Sequence, residues 1–362
     1  MFRIPKNKPN RSCTHAKAVF LLAMTAAVLC LLAALTVFLI DPMFHYHKPW
    51  FGLKAVLTEK EYQVVGTLRH FDYDSLIAGS SVTENNNNAW FSENFNCTAI
   101  KAARSYGGNG DLCYLLDVAF ETRDLKYVFY NIDPSSLTFS PDLTFEETGC
   151  PTYLYDRNPF NDIRYLLNKD ILFEKIPYMF ACSFLTDYDE NLSYNWEKGK
   201  TFSREAAISH YERPEEVSAE YPEDHYAREL SENIRILTAE AAAHPQTQFY
   251  FFLPPYSVLF WDNTYRNGEL SAYLYNEEKL MDALLSYDNV RVFYFQNAEE
   301  IITDLDLYMD TLHFNSGVNH YMCDAMAKGE YEVLPGETVA AVESMRALAL
   351  SATEELDVFF SE

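Results

Sequence analysis

Five apolar runs of strand length are the feature that most constrains how this chain can fold. They lie at residues 75–78, 98–102, 126–132, 248–253 and 290–295. Within each run the apolar residues are continuous rather than alternating with polar ones, which is typical of strands covered on both faces, as in a parallel sheet. Helix-like segments separate them at residues 112–120, 227–243 and 277–286. Strand–helix–strand repetition predicts an α/β fold of parallel βαβ units with right-handed crossovers.

The alternation of strands and helices stops between residues 134 and 226, where many aromatic residues and prolines, among them Pro141, Pro151, Pro159 and Pro177, interrupt the pattern. We interpret this interval as a helical insertion, or a lid beside the site, within one domain at 74–330. A juxtamembrane connector is expected at 41–73 and an acidic C-terminal tail at 331–362.

A run of 23 residues without a charge, 18–40, precedes the connector. Because that length crosses a hydrocarbon core of about 30 Å as a helix, it predicts a transmembrane anchor. The alternative is a cleaved signal peptide, whose apolar region is normally roughly 7–15 residues long and ends in small residues. The run here is longer and is followed by Asp41-Pro42, so we favour the anchor.

The distribution of charge along the sequence predicts how the chain would be oriented across the membrane. Residues 1–17 hold five basic and no acidic residues, whereas the whole chain carries a net charge of −25. By the positive-inside rule this tail is cytoplasmic and everything after the anchor is extracytoplasmic. The strongly acidic remainder argues against nucleic acid as a partner.

His45 and His47 could begin a metal site, but no third ligand follows nearby in the sequence. We interpret them, with Tyr46, Trp50 and Phe51, as a belt of amphipathic rings at the membrane interface. Neither a metal nor a cofactor is expected.

Two short motifs carry chemistry. Gly79-Ser80-Ser81 ends the first predicted strand, and ligands gather at the carboxyl ends of parallel strands. Asp310-Thr311-Leu312-His313 places a carboxylate three residues before an imidazole. Together they hold a nucleophile, a base and an orienting acid, the roles that serine acyl transfer needs.

These residues could also have purely structural roles. A serine after a strand is often a helix N-cap, and the histidine could be structural. His320 is a rival base, although we expect no acid at a spacing that would orient it. The residues alone do not decide between Ser80 and Ser81.

With Gly107-Gly108 and Asn131-Ile132-Asp133 between them, these motifs resemble the four blocks of the SGNH/GDSL hydrolase superfamily. The likeness is nearest to its membrane-anchored branch, which acts in O-acetylation of cell-surface polysaccharides or D-alanylation of teichoic acids. It implies a three-layer domain with Ser81 as nucleophile, His313 as base and Asp310 as orienting acid.

The resemblance also implies an oxyanion hole and partners. The backbone amides of Ser81 and of Gly108 or Gly107 would form the hole. The family's third donor is an asparagine two residues after a glycine, and here either Asn131 or Asp133 would take its place. The implied partners are a cell-envelope polysaccharide or acylated polymer and a polytopic membrane acyltransferase.

Tyr256 and Trp261 follow the fourth predicted strand and are candidates for a substrate-binding wall, with core packing as the alternative. The leading hypothesis is an anchored O-acyltransferase or esterase. A lipid or small-ester hydrolase and a non-catalytic envelope-assembly protein with a degraded site are the competing ones.

Overall fold

A six-stranded sheet forms the centre of the molecule. The structure is a computed structural model that describes residues 11–105 and 107–361. The strands are β1 Ser75–Gly79, β2 Ala99–Ala103, β3 Tyr127–Asn131, β4 Gln248–Leu253, β5 Val290–Tyr294 and β6 Glu332–Val333. They lie in the order β2-β1-β3-β4-β5-β6, and all neighbours are parallel except β5 and β6. The direction of strand addition reverses between β1 and β3, which is where ligands gather in such sheets.

Thirteen α-helices are found in the described part of the chain. They are α1 Arg11–Ile40, α2 Lys60–His70, α3 Asn88–Phe95, α4 Asn109–Phe120, α5 Ile163–Leu166, α6 Ile176–Phe184, α7 Arg204–Ser209, α8 Ala227–Ala243, α9 Val258–Arg266, α10 Leu270–Leu284, α11 Glu299–Ile302, α12 Ser316–Lys328 and α13 Thr338–Ser361. The helices between β3 and β4 are α5 to α8.

Helices cover both faces of the sheet. On one face Phe91 of α3 packs on Phe129 with ring centroids 4.8 Å apart. On the other, the Tyr130 hydroxyl donates to Asn109 of α4 at 3.0 Å, and Tyr294 donates to Glu277 of α10 at 2.6 Å. Consecutive residues of a strand point to opposite faces, so Phe129 and Tyr130 identify two helical layers around the sheet.

The predicted α/β class with a parallel sheet is confirmed. Each of the five predicted strands occurs, with ends that differ by one residue at most. The helix predicted at 277–286 begins earlier, at Leu270, because Leu270, Ala272 and Leu274 add a buried face to it. The antiparallel β6 was not predicted, since two residues carry no periodic signal.

The chain divides into two compact units. The first comprises residues up to Val56 together with Tyr153–Tyr188, and the second comprises Leu57–Thr152 and Asp189–Glu362. The sheet belongs to the second unit. These limits do not coincide with the domain limits expected from the sequence, which stay a prediction.

The first unit is organised around the end of α1. Asp41 accepts hydrogen bonds from the backbone of His45, Tyr46 and His47 and, at 2.6 Å, from the Tyr165 hydroxyl. Burial raises the pKa of the Asp41 carboxyl, and these hydrogen bonds oppose the rise. Segment 153–188 is thereby tied to the last turn of α1.

The two candidate metal-binding histidines make separate contacts. His45 Nε2 lies 3.2 Å from Asp162 Oδ1, whereas the His47 ring stacks on Trp50 at 3.5 Å. The two imidazoles are therefore engaged with different partners.

Helix α1 contains a segment, His15–Ile40, that is long and apolar enough to cross a membrane. Residues 1–10 of the tail predicted to be cytoplasmic lie outside the described residues.

Candidate active site

The turn after β1 presents Ser81 at the carboxyl edge of the sheet. A Cβ at Gly79 would overlap the side chains of Thr83 and Asn131, so only glycine fits this close approach. Ser80 is extended, and a short 3₁₀ turn follows at Ser81–Thr83. The backbone amide of Ser81 is the first of this turn and has no acceptor among the described residues.

The structure brings Ser81, His313 and Asp310 into one chain of hydrogen bonds. Ser81 Oγ lies 2.8 Å from His313 Nε2, and His313 Nδ1 lies 2.7 Å from Asp310 Oδ2. A carboxylate accepts, so Nδ1 carries the ring proton and Nε2 accepts from the serine hydroxyl. This is the arrangement in which an imidazole can remove the serine proton.

Asp310 is held as a charged acceptor. Its Oδ1 accepts from the backbone amides of Leu312 and His313, each at 2.8 Å. Burial raises the pKa of the Asp310 carboxyl, but the hydrogen bonds and charge of His313 outweigh it, and the net pKa lies below its ordinary value. Asp310 therefore stays ionised near neutral pH.

The loop that carries His313 is fixed at both ends. Met309 N donates to the His313 carbonyl at 2.9 Å, and Asn315 caps α12 by accepting from Val318 N at 3.3 Å. Ser257 Oγ donates to the Thr311 carbonyl at 2.8 Å, which attaches the loop to the segment after β4. The imidazole thus reaches Ser81 from a braced loop.

Asn131 and Asp133 are engaged with each other rather than left open toward an oxyanion. Asn131 Nδ2 donates to Asp133 Oδ1 at 2.9 Å, and the Tyr256 hydroxyl donates to the same oxygen. A carboxylate oxygen accepts and does not donate, so only Asn131 of the two could be a third oxyanion donor, and that role stays a prediction. The Asn131 donor is directed at Asp133.

Gly107 and Gly108 lie just before and at the N-cap of α4. A Cβ at Gly107 would meet the Asp111 carboxylate at 2.5 Å, and one at Gly108 would meet the Phe139 ring at 2.9 Å. A side chain at either position would therefore require these neighbouring side chains to shift. Their role as oxyanion donors, with Ser81, stays a prediction.

Tyr256 and Trp261 do not form the substrate-binding wall expected from the sequence. Tyr256 is 2% exposed and Trp261 is 0% exposed, and both pack against Phe260. They belong to the core, because aromatic residues after a strand serve packing as readily as a cleft.

A different aromatic residue, Trp196, lies beside Ser81 and His313. Its indole Nε1 donates to the Ser81 carbonyl at 2.8 Å, and its ring stands edge-on to the His313 ring, 5.3 Å between centroids. Trp196 was missed because nothing in its local sequence marks it. Its place inside the interval interpreted as a lid was the only available signal.

The cleft at Ser81 has a volume of about 230 Å³. It is lined by Lys60, Ser81, Glu84, Ser105, Trp196, Lys200, Met309 and His313. Lys60 Nζ and Ser105 Oγ both lie 2.7 Å from Glu84 Oε1. These polar groups can bind a hydroxyl-bearing substrate, and sequence analysis found none of them, because they come from separate segments.

His320 does have an acid near it, contrary to expectation. Its Nε2 lies 3.7 Å from Asp324 Oδ1, and its ring stacks on Trp90 at 4.3 Å. His320 therefore contacts residues of α12 and α3, and the imidazole that accepts from Ser81 is that of His313.

A larger cavity of about 370 Å³ lies elsewhere in the second unit, lined by Val217, Ser218, Glu220, Tyr265, Gly268, Leu270, Arg346 and Leu350. None of these residues is a histidine or a cysteine. The candidate active site is therefore the smaller cleft at Ser81.

No family model matches the sequence, and no curated protein matches it either. Among solved structures, one match is described as "The structure of a putative platelet activating factor from Streptococcus pneumonia". The two chains are 10% identical, the match covers 75% of this chain and 89% of that chain, and the TM-score is 0.38. Such a likeness carries no functional information, so the function proposed below rests on the geometry of the site.

Proposed function

We propose that this protein is a serine-dependent acyl-transfer enzyme of SGNH/GDSL type, an O-acyltransferase or esterase that acts on a cell-envelope polymer. The observation that carries the proposal is the unbroken hydrogen-bond chain from Ser81 through His313 to Asp310. Serine nucleophiles are weak unless an adjacent base activates them, and this chain provides that base with its orienting acid.

The proposed reaction has two steps, and His313 carries the proton in both. His313 Nε2 takes the proton of Ser81 as Oγ attacks the ester carbonyl, and the imidazolium then protonates the leaving alcohol. A second alcohol or water loses its proton to His313 and attacks the acyl-serine. The bond between the acyl group and Ser81 Oγ then breaks, and the imidazolium returns its proton to Oγ. The ionised Asp310 stabilises the imidazolium in both steps.

The oxyanion formed in each step needs donors. Ser81 N–H has no acceptor among the described residues and is the first donor of the proposal, with Gly107 or Gly108 as the second. Each such donor commonly contributes about 2.7–4 kcal/mol to transition-state stabilisation.

The proposed location is the outer surface of a membrane, with α1 as the anchor and the tail inside. The length and apolar character of α1 support this location. A cell-envelope polysaccharide or acylated polymer and a polytopic membrane acyltransferase are the partners in the same proposal.

Covalent labelling tests the proposal. A fluorophosphonate probe should label the full-length protein, and Ser81→Ala should abolish both labelling and ester turnover, the latter by about 10⁶. Ser80→Ala is the matched control and should keep both. Labelling that survives Ser81→Ala would exclude the assignment, and a wild type that never reacts would favour the non-catalytic alternative.

A further inference from the structure

The first unit exposes an apolar face on α6 and the turn before it. Phe173, Phe180, Phe184 and Leu185 are 72%, 42%, 59% and 80% exposed, respectively. Their spacing places Phe173, Phe180 and Phe184 on one side of the helix. The opposite side, with Ile176, Met179 and Cys182, is buried. We call the four exposed residues the outer face of α6.

Water is a poor environment for this surface. Large exposed apolar side chains scattered singly are normal, but a cluster of them marks a surface that contacts another apolar phase. Residues 176–186 contain no charged residue, although the chain as a whole is strongly acidic. The outer face therefore lacks the charges that solubilise most of this protein.

Contacts within the first unit indicate that this apolar phase is a lipid bilayer. Tyr165 and Asp162, on the segment that leads to α6, bind Asp41 and His45 directly after the last turn of α1. Helix α1 also packs on α5 and on the π-helical turn Ile171–Lys175 that precedes α6. If α1 spans a bilayer up to Ile40, these contacts hold the segment at the level of the headgroups.

We propose that the outer face of α6 lies in the membrane surface, with its apolar side chains among the lipid acyl chains beside α1. This inference rests on the anchoring by α1 that is part of the proposed function. An interfacial helix of this kind binds through apolar side chains buried about 5–10 Å into the boundary between headgroups and acyl chains.

Fluorescence in brominated vesicles tests the proposal. The full-length chain is reconstituted in phosphatidylcholine vesicles with and without bromine on the acyl chains, and wild-type emission is subtracted from that of Phe184→Trp. We expect bromine to quench more than half of the added emission. Leu185→Trp provides a second position should the first variant fold poorly.

Phe359→Trp is the matched control, because Phe359 is 43% exposed but lies on α13 in the second unit. Its added emission should be the same in both kinds of vesicle. Phe184→Trp emission that bromine leaves unchanged would overturn the proposal and indicate a protein partner or a second copy on this face.

Flotation of the same vesicles distinguishes failure of this inference from failure of anchoring by α1. If the protein floats and resists carbonate extraction but its Phe184→Trp emission is not quenched, the inference alone fails. If the protein does not float, anchoring by α1 fails and the inference fails with it.

Discussion

Both oxygens of the Asp310 carboxylate are used within the loop that carries His313. One holds the imidazole and the other accepts two backbone amides of that loop. The acid therefore fixes the shape of the loop as well as the ring. An asparagine in its place can keep the backbone contacts through its oxygen, but its amide N–H then faces the imidazole and favours the wrong tautomer.

Asp310→Asn should lower turnover by about 10⁴ while leaving folding unchanged, because the asparagine oxygen still accepts from Leu312 and His313. Steady-state kinetics and circular dichroism of the purified variant check this. Asp324→Asn is the matched control, since Asp324 lies beside the rival His320. A large loss in Asp324→Asn with none in Asp310→Asn would move the base to His320.

Trp196→Phe removes one hydrogen bond and keeps an aromatic ring beside His313. One hydrogen bond contributes about 1 kcal/mol, so we expect kcat/KM to fall roughly fivefold. Trp90→Phe, beside His320, is the control and should be unchanged. A Trp196→Phe variant with wild-type kinetics would show that the indole does not position Ser81.

Among elements, β2 supports the segment that follows the turn Ser81–Thr83 through a buried lysine. Lys101 Nζ donates to the carbonyls of Glu84 and Asn86, each at 2.6 Å. Burial lowers the pKa of Lys101 to about 7, while the charge of Glu84 opposes that change. A neutral amine has two N–H donors, which matches the two carbonyls.

This pKa predicts how stability depends on pH. An unfolded lysine titrates near 10.4, so between about pH 7 and 10 the unfolded state binds a proton that the folded state lacks. The free energy of unfolding therefore gains from Lys101 as pH rises through that window.

Lys101→Met should remove this gain, so that urea denaturation midpoints rise less with pH than those of the wild type. Lys328→Met, at an exposed position on α12, should keep the wild-type slope. Parallel curves for wild type and Lys101→Met would mean that Lys101 titrates alike in both states.

The elements show what sequence can and cannot predict here. Continuous apolar runs predicted β1 to β5 because burial on both faces leaves a direct signature. Asp310 and His313 were found because they are three residues apart. Glu84 lies three residues after Ser81, but Ser105 and Trp196 come from other segments, and only the folded chain brings all three to one cleft. Trp261 was misplaced because apolar aromatic residues look alike in a core and a cleft.

For the whole molecule, the central question is where the second unit resides. The full-length chain should pellet with membranes, and protease added to intact cells should remove all but a fragment containing α1. Replacing Leu29 with Lys tests whether α1 spans the membrane, since a lysine at mid-membrane raises the free energy of helix insertion by about 2.5–3.5 kcal/mol. A soluble chain that begins near Asp41 would identify a signal peptide instead.

Ser81 and His313 are 232 positions apart in the chain. Synthesis delivers the proposed nucleophile long before its proposed base, and folds that depend on contacts between distant residues form slowly. A partly made or partly folded chain therefore holds an unactivated serine. The onset of fluorophosphonate labelling during refolding should coincide with completion of the sheet. The time at which labelling begins would then report the last step of folding.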